Sequence, residues 1–189
     1  VYINPDKKEY WKQLSGLYFT QEKDDESLAG LELAYDNNLL KKNDEYRDLA
    51  GYFLYKDLPQ KAVKVLNTGF ETTYLEETKE NYELLADAYF LTRDRENGIK
   101  YLEESLRIDK DPKVAFKIAR FAFEDENWAL TIKYLKTAKE FGWNETEGRI
   151  ELLMGISLYE INEYAQSLEY LKEAQNFNDT KTAAEGWFK

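Results

Sequence analysis

The feature that most constrains this chain is a spacing of side-chain sizes that recurs five times along its 189 residues. In most units a large residue is followed three places later by a Leu-like residue, and the next residue is small. An aromatic or apolar residue comes three places after that small residue. A second small residue comes nine places later, a leucine four places after that, and a third small residue after three more. The pattern starts at Trp11, Tyr46, Tyr82, Ala115 and Glu151, with offsets of 35, 36, 33 and 36 residues. Self-similarity at such a period predicts a stack of identical supersecondary units.

Each unit is predicted to be a pair of antiparallel helices of about 13–14 residues. The small residues lie where paired helices must approach closely, and the large residues fill the space beside each contact. This pattern is similar to the signature of the tetratricopeptide repeat (TPR). We therefore predict an all-α fold, a right-handed α-α superhelix (TPR solenoid) of five helix-turn-helix repeats plus a C-terminal capping helix.

The whole chain, residues 1–189, is expected to form a single array with predicted repeats at 8–41, 43–76, 79–111, 112–145 and 148–179. Residues 180–189, which include Ala183, Ala184, Trp187 and Phe188, predict a short amphipathic helix that covers the last repeat. Residues 1–7 carry Pro5 where a repeat commonly ends, so they are interpreted as the tail of an earlier, missing repeat. The start at Val1 fits the same expectation of a processed protein or a fragment.

Pro59 interrupts residues 51–69, which otherwise show the periodicity of one long helix. Proline inside a helix costs about 3 kcal/mol, because it lacks an N–H and its ring clashes with the preceding turn. At the first turn of a helix its fixed φ is favourable instead. The repeat spacing places Pro59 at that first turn, so Lys56, Asp57 and Leu58 are predicted to connect two helices.

The amino-acid composition excludes or disfavours several classes of function. The chain has no His and no Cys, which rules out Ser-His-Asp and Cys-His triads and zinc sites built on those residues. Carboxylates are abundant, but they fall on predicted turns and solvated faces, so we predict no enzyme and no catalytic, cofactor-binding or metal-binding residue. A net charge of −11 disfavours nucleic-acid binding. No run approaches the about 18 apolar residues of a membrane helix, so no membrane insertion is expected for this part of the chain.

Protein binding remains, and the inner face of the first helix of each repeat is the expected surface. Counting from the start of that helix, the inward places are near the second, fifth, ninth and twelfth. Residues at or near these places form the predicted protein-binding set: Phe90, Lys113, Phe116, Arg120, Phe123, Leu152, Ile156 and Tyr159.

Two interpretations stay open for the twelfth places, which hold Phe19, Leu54, Phe90, Phe123 and Tyr159. These side chains either line a peptide groove or pack as core against the neighbouring first helix. Phe116, Leu152 and Ile156 are expected to be exposed, because other residues fill the core places of their helices. A groove that clamps a C-terminal carboxylate is not expected.

Several stretches resemble one bacterial family, the TPR proteins encoded beside TonB, ExbB and ExbD components in Gram-negative bacteria. The stretches keep the order and spacing of the C-terminal part of that family and lie at residues 16–19, 28–35, 54–69, 84–88, 152–156 and 183–188. The resemblance implies a non-enzymatic, periplasmic protein with further repeats upstream that assists TonB-dependent energy transduction. It supplies no catalytic residue and no cofactor.

The sequence therefore predicts a protein-protein interaction scaffold or adaptor, with TonB/ExbB/ExbD-type components as partners implied by the resemblance. The alternative is a structural or dimerisation segment of a longer repeat array, with no peptide groove of its own.

Overall fold

The computed structural model describes residues 7–143 and 148–187 and shows helices connected by turns. Pro5 and Phe188, on which two of the expectations above depend, lie outside the described residues. Helix accounts for 76% of the structure, and the described residues contain no strand, as predicted for an all-α fold. The helices are α1 (Lys8–Thr20), α2 (Asp24–Asp36), α3 (Asn43–Tyr55), α4 (Pro59–Glu71), α5 (Lys79–Leu91), α6 (Arg95–Ile108), α7 (Pro112–Glu124), α8 (Trp128–Glu140), α9 (Arg149–Glu160), α10 (Tyr164–Ala174) and α11 (Lys181–Gly186).

Contacts divide the chain into two units, residues 1–101 and 102–189, with the boundary inside α6. In the N-terminal unit α1 packs on α2, α3 packs on α4, and α4 contacts α5. In the C-terminal unit α7 packs on α8, α9 packs on α10, and α8 contacts α9. The short helix α11 packs on α10, as predicted for a capping helix.

The small residues of the repeat are buried where paired helices meet, which confirms the predicted register. In the first pair, the Ser15 hydroxyl donates to the backbone carbonyl of Ser27 at 2.8 Å. The same places in the last pair hold Gly155 and Ser167, and there the Ser167 hydroxyl donates to the Gly155 carbonyl at 2.7 Å. The paired helices therefore approach closely enough for a side chain of one to bond the backbone of the other.

The turn inside each pair has one geometry. At the end of α3, Asp57 has a φ of 57°, and the N–H of Leu58 donates to the carbonyl of Phe53 at 2.8 Å. This arrangement closes a helix with one left-handed residue and leaves few carbonyls unpaired. The same positive φ recurs one repeat apart at Glu22, Asp57, Arg93, Glu126 and Asn162. Pro59 is the first residue of α4, so the predicted break between α3 and α4 is confirmed.

Side chains cap the starts of α5, α7 and α8. The Thr78 hydroxyl caps α5 by accepting from the N–H of Asn81, and the Asp111 carboxylate caps α7 by accepting from the N–H of Lys113. The Asn127 side chain caps α8 by accepting from the N–H of Leu130. Such caps satisfy N–H groups that have no partner within the helix, and they help to set the point at which these three helices begin.

Each unit has its own apolar core. In the N-terminal unit Leu49, Phe53, Leu66 and Leu85 are 1% exposed or less. In the C-terminal unit the residues buried to the same degree include Ile118, Leu135, Ile150 and Met154. These residues come from both helices of a pair, so neither helix can bury its apolar face without the other.

Candidate functional site

The candidate site of the C-terminal unit is a cleft of about 260 Å³ between α7 and α9. We call it the α7/α9 cleft. Its lining residues are Phe116, Arg120, Phe123 and Glu124 from α7 and Arg149, Leu152 and Leu153 from α9. Residues three or four apart share one face of a helix, which explains why these seven side chains point into one space.

Phe116 forms a buried wall of the cleft rather than an exposed surface. Its side chain is 7% exposed, so the expectation that Phe116 is exposed is wrong. The physical reason is Trp143, which follows α8 and places its ring on that of Phe116 with centroids 4.6 Å apart. Offset aromatic contact of this kind is favourable beyond the area it buries. Leu152 and Ile156 remain partly exposed.

Phe123 and Tyr159, two of the aromatic residues at the twelfth places, contact the helix that follows them. The ring of Phe123 meets that of Trp128 edge to face at 5.3 Å, and Tyr159 meets Tyr164 in the same way at 5.3 Å. Phe123 keeps enough exposed surface to line the cleft, whereas Tyr159 does not line it and is 45% exposed. These two residues therefore combine a packing contact within their own repeat with partial exposure, whereas Phe19, at the twelfth place of the first repeat, is 64% exposed.

Two arginines stand at the rim of the α7/α9 cleft. The Arg120 guanidinium lies 4.0 Å from the carboxylate of Glu124, and the Arg149 guanidinium lies 3.9 Å from that of Asp179. Both arginine side chains are more than half exposed. At these distances and exposures an ion pair contributes little to stability, and both arginines line the cleft.

Of the eight residues predicted for protein binding, Phe116, Arg120, Phe123 and Leu152 line this cleft. The other four do not, and they are Phe90, Lys113, Ile156 and Tyr159. Lys113 is exposed at the start of α7. Phe90 belongs to the N-terminal unit and packs over Gly98, where an added Cβ would lie 2.5 Å from the Phe90 ring.

Arg149, Leu153 and Glu124 line the cleft but were not predicted from the sequence. A signal for Arg149 was present, since it holds the second place of its repeat, one of the four inward places. Leu153 and Glu124 lie one residue beyond inward places, and only the closeness of α7 and α9 brings them into the lining.

A second cleft, of about 310 Å³, lies between α3 and α5 in the N-terminal unit. We call it the α3/α5 cleft. It shares the fifth and ninth places of its first helix with the α7/α9 cleft, but most of its lining residues are polar. They are Asn43, Asp44, Arg47, Asp48, Gly51 and Leu84.

Within residues 7–143 and 148–187, no three carboxylates are grouped closely enough to hold a metal ion. Over the same residues, no helix has both the length and the apolar character needed to cross a bilayer.

No protein-family model and no curated protein matches this sequence. Among solved structures, the chain resembles YrrB, described as a TPR protein with an unusual peptide-binding site. That likeness has a TM-score of 0.69 at 11% identity and covers 97% of this chain and 92% of YrrB. The crystal structure of MamA has a TM-score of 0.67 at 12% identity, covering 89% of this chain and 90% of MamA.

A third similar structure is the C-terminal part of a TPR repeat-containing protein from Cytophaga hutchinsonii. Its TM-score is 0.63 at 12% identity, and the match covers 94% of this chain and 70% of that one. Likeness at such low identity concerns the backbone arrangement, which here agrees with the helix pairs and with the repeat spacing of the sequence. The fold of this chain is that of the tetratricopeptide-repeat proteins.

Proposed function

We propose that this chain is a non-enzymatic protein-interaction module whose α7/α9 cleft receives an apolar side chain from an acidic segment of a partner protein. The observation that supports the proposal is the composition of the cleft, in which four apolar side chains form the walls and the charged lining residues are two arginines and one carboxylate, Glu124. Concave sites with apolar walls and a few placed polar groups are typical of ligand binding.

The apolar part of the cleft would provide most of the affinity. Burying one Leu- or Phe-sized side chain contributes about 1.5–3 kcal/mol, and anchors of this kind dominate most interfaces. Phe116 is held by Trp143, and Phe123 is held by Trp128. The walls are therefore in place before a ligand arrives, which lowers the ordering cost of binding.

The arginines would provide selectivity. The protein has a net charge of −11, so an acidic partner is repelled by most of the molecule. Arg120 and Arg149 place two positive charges beside the apolar walls, against the one negative charge of Glu124. Rim charges mainly affect the association rate and the choice of partner, so acidic residues that flank an apolar anchor fit this site.

The test is a binding titration by fluorescence anisotropy with labelled peptides that carry one Leu or Phe between Glu residues. Leu152→Asp should weaken binding by about tenfold or more, because it places a charge on the apolar wall. The matched control is Leu168→Asp, on an exposed leucine of α10 that does not line the cleft. Arg149→Glu should weaken binding more at low salt than at high salt, whereas Lys136→Glu, with the same change in net charge, should not.

If folded Leu152→Asp and Arg149→Glu proteins bind the acidic peptides as tightly as wild type, the α7/α9 cleft is not the binding site. The alternative role, a structural or dimerisation segment of a longer array, would then be favoured.

We further propose that the partner is a TonB/ExbB/ExbD-type component and that the protein acts in the periplasm. The support is the sequence resemblance at residues 54–69 and the other stretches named above. Co-purification from membrane extract with the full-length chain tests the partner, and cell fractionation tests the compartment. Recovery of none of the three components by wild type would reject this partner without affecting the peptide titration.

A further inference from the structure

Gly51 lies in the middle of α3, where an added Cβ would meet no other atom within 4 Å. Glycine in the interior of a helix is destabilising relative to alanine, because it adds backbone freedom to the unfolded chain. At Gly69, Gly98 and Gly155 an added Cβ would lie between 2.5 and 2.8 Å from a neighbouring side chain, so packing explains those glycines. Packing among the described residues explains neither Gly51 nor Gly16, which holds the equivalent ninth place of α1.

The absence of a side chain at Gly51 exposes the α3 backbone to the α3/α5 cleft, which this residue lines. The equivalent ninth place of α7 holds Arg120, whose side chain lines the α7/α9 cleft. Glycine at such a place permits the backbone of a ligand to come close to the helix.

The charges around the α3/α5 cleft are mainly negative. Asp44 and Asp48 are exposed, lie one helical turn apart and both line the cleft together with the cation Arg47. Glu80 and Glu83 hold the second and fifth places of α5, but neither of them lines the cleft. Two carboxylates at i and i+4 on one helix repel each other, and a bound cation would relieve that repulsion.

We propose that the α3/α5 cleft binds an extended, basic segment of another protein. The backbone of the segment passes over Gly51, and its Lys or Arg side chains pair with Asp44 and Asp48. An extended segment fits better than a helix, since the side chains of a helix would hold its backbone away from Gly51. This site differs in place and in charge preference from the α7/α9 cleft, so it does not depend on the function proposed for that cleft.

The test is a selection of random twelve-residue peptides displayed on phage against the wild-type chain, with Gly51→Leu protein as the counter-selection. Sequences rich in Lys and Arg should be enriched. In anisotropy titrations the enriched peptide should bind Gly51→Leu at least about tenfold more weakly than wild type. The Tm of Gly51→Leu should not fall, because the added side chain enters open space.

Charge variants complete the test. Asp48→Lys should weaken binding of the enriched peptide about tenfold, whereas Asp36→Lys, with the same change in net charge on α2, should stay within about twofold of wild type. Three outcomes would overturn the proposal: no enrichment of basic sequences, equal binding to folded Gly51→Leu, or equal weakening by Asp48→Lys and Asp36→Lys. The last outcome would indicate diffuse attraction to an acidic protein. Loss of binding in Leu152→Asp with unchanged binding in Gly51→Leu would assign the peptide to the α7/α9 cleft.

Discussion

The ammonium nitrogen of Lys139 lies 2.7 Å from a carboxylate oxygen of Glu151, and the Glu151 side chain has no exposed surface. The pair joins α8 to α9. Glu151 holds the place where three other repeats have Trp11, Tyr46 or Tyr82, so a buried charge pair stands where an aromatic ring is usual in this chain.

Removing one partner of this ion pair should destabilise the protein more than removing both partners. We expect Lys139→Met to destabilise the protein by about 3 kcal/mol, because an unpaired carboxylate is then left buried. The double variant Lys139→Met/Glu151→Met should lie within about 1 kcal/mol of wild type, since no buried charge remains. Urea denaturation of wild type, both single variants and the double variant measures the coupling. A double variant as unstable as Lys139→Met would contradict this account.

The stability of the N-terminal unit should depend on pH through Glu45. Its carboxylate accepts from the backbone N–H of Lys41 at 2.8 Å and lies 3.0 Å from the ammonium groups of both Lys8 and Lys12. Burial by itself would raise the pKa of Glu45, but these three donors outweigh burial and lower the pKa from 4.5 to about 2. The ionised form is therefore the one that the fold prefers.

Because the pKa of Glu45 is lower in the folded state, the unfolded chain takes up its proton first as the pH falls. The contribution of Glu45, up to about 3 kcal/mol, is present in full above about pH 5 and is lost between about pH 4.5 and pH 2. Thermal unfolding at several pH values should show a shallower acid-side fall for Glu45→Gln than for wild type. Glu169→Gln, on an exposed carboxylate of α10, is the control and should follow wild type.

Ala119 tests the register of the close helix contacts. It is fully buried in α7 at the place equivalent to Ser15, and Thr131 of α8 is fully buried at the place equivalent to Ser27. Ala119→Leu should therefore destabilise the protein by about 1–3 kcal/mol through overpacking. The same substitution at Ala129, which is exposed on α8, should change stability by less than about 0.5 kcal/mol. Equal urea midpoints for the two variants would show that α7 and α8 do not meet at Ala119.

Substitutions at two turn residues with positive φ should change stability in opposite directions. Glu126 has a φ of 56° and Gly142 a φ of 87°, and each follows the end of a helix. Glu126→Gly should raise the free energy of unfolding by up to about 1 kcal/mol, because glycine adopts positive φ without steric cost. Gly142→Ala should lower it by about 1 kcal/mol for the same reason, although nothing lies within 4 Å of the added Cβ. A gain of stability in Gly142→Ala would show that this turn is not left-handed in solution.

The helix pairs could be read from the sequence because each depends on local spacing. Small residues recur where helices touch, large residues recur beside them, and Pro59 fits only at the start of a helix. The spacing of apolar and small residues and the position of a proline are properties of a short stretch of chain, so they can be recognised without knowledge of the fold. The left-handed geometry of the turns was harder to predict from the sequence, because no glycine marks these positions. The residues with positive φ are Glu22, Asp57, Arg93, Glu126 and Asn162.

The candidate site was predictable only in part, for a physical reason. Inward places on α7 and α9 follow from helical periodicity, and Arg120, Phe123 and Leu152 at those places line the cleft. Burial of Phe116 depends on Trp143, which reaches it from beyond the end of α8. A contact between side chains distant in sequence is decided by how the helices pack, so the sequence by itself determined the repeat and its helix pairs, and only the tertiary structure decided which inward side chains meet in a cleft.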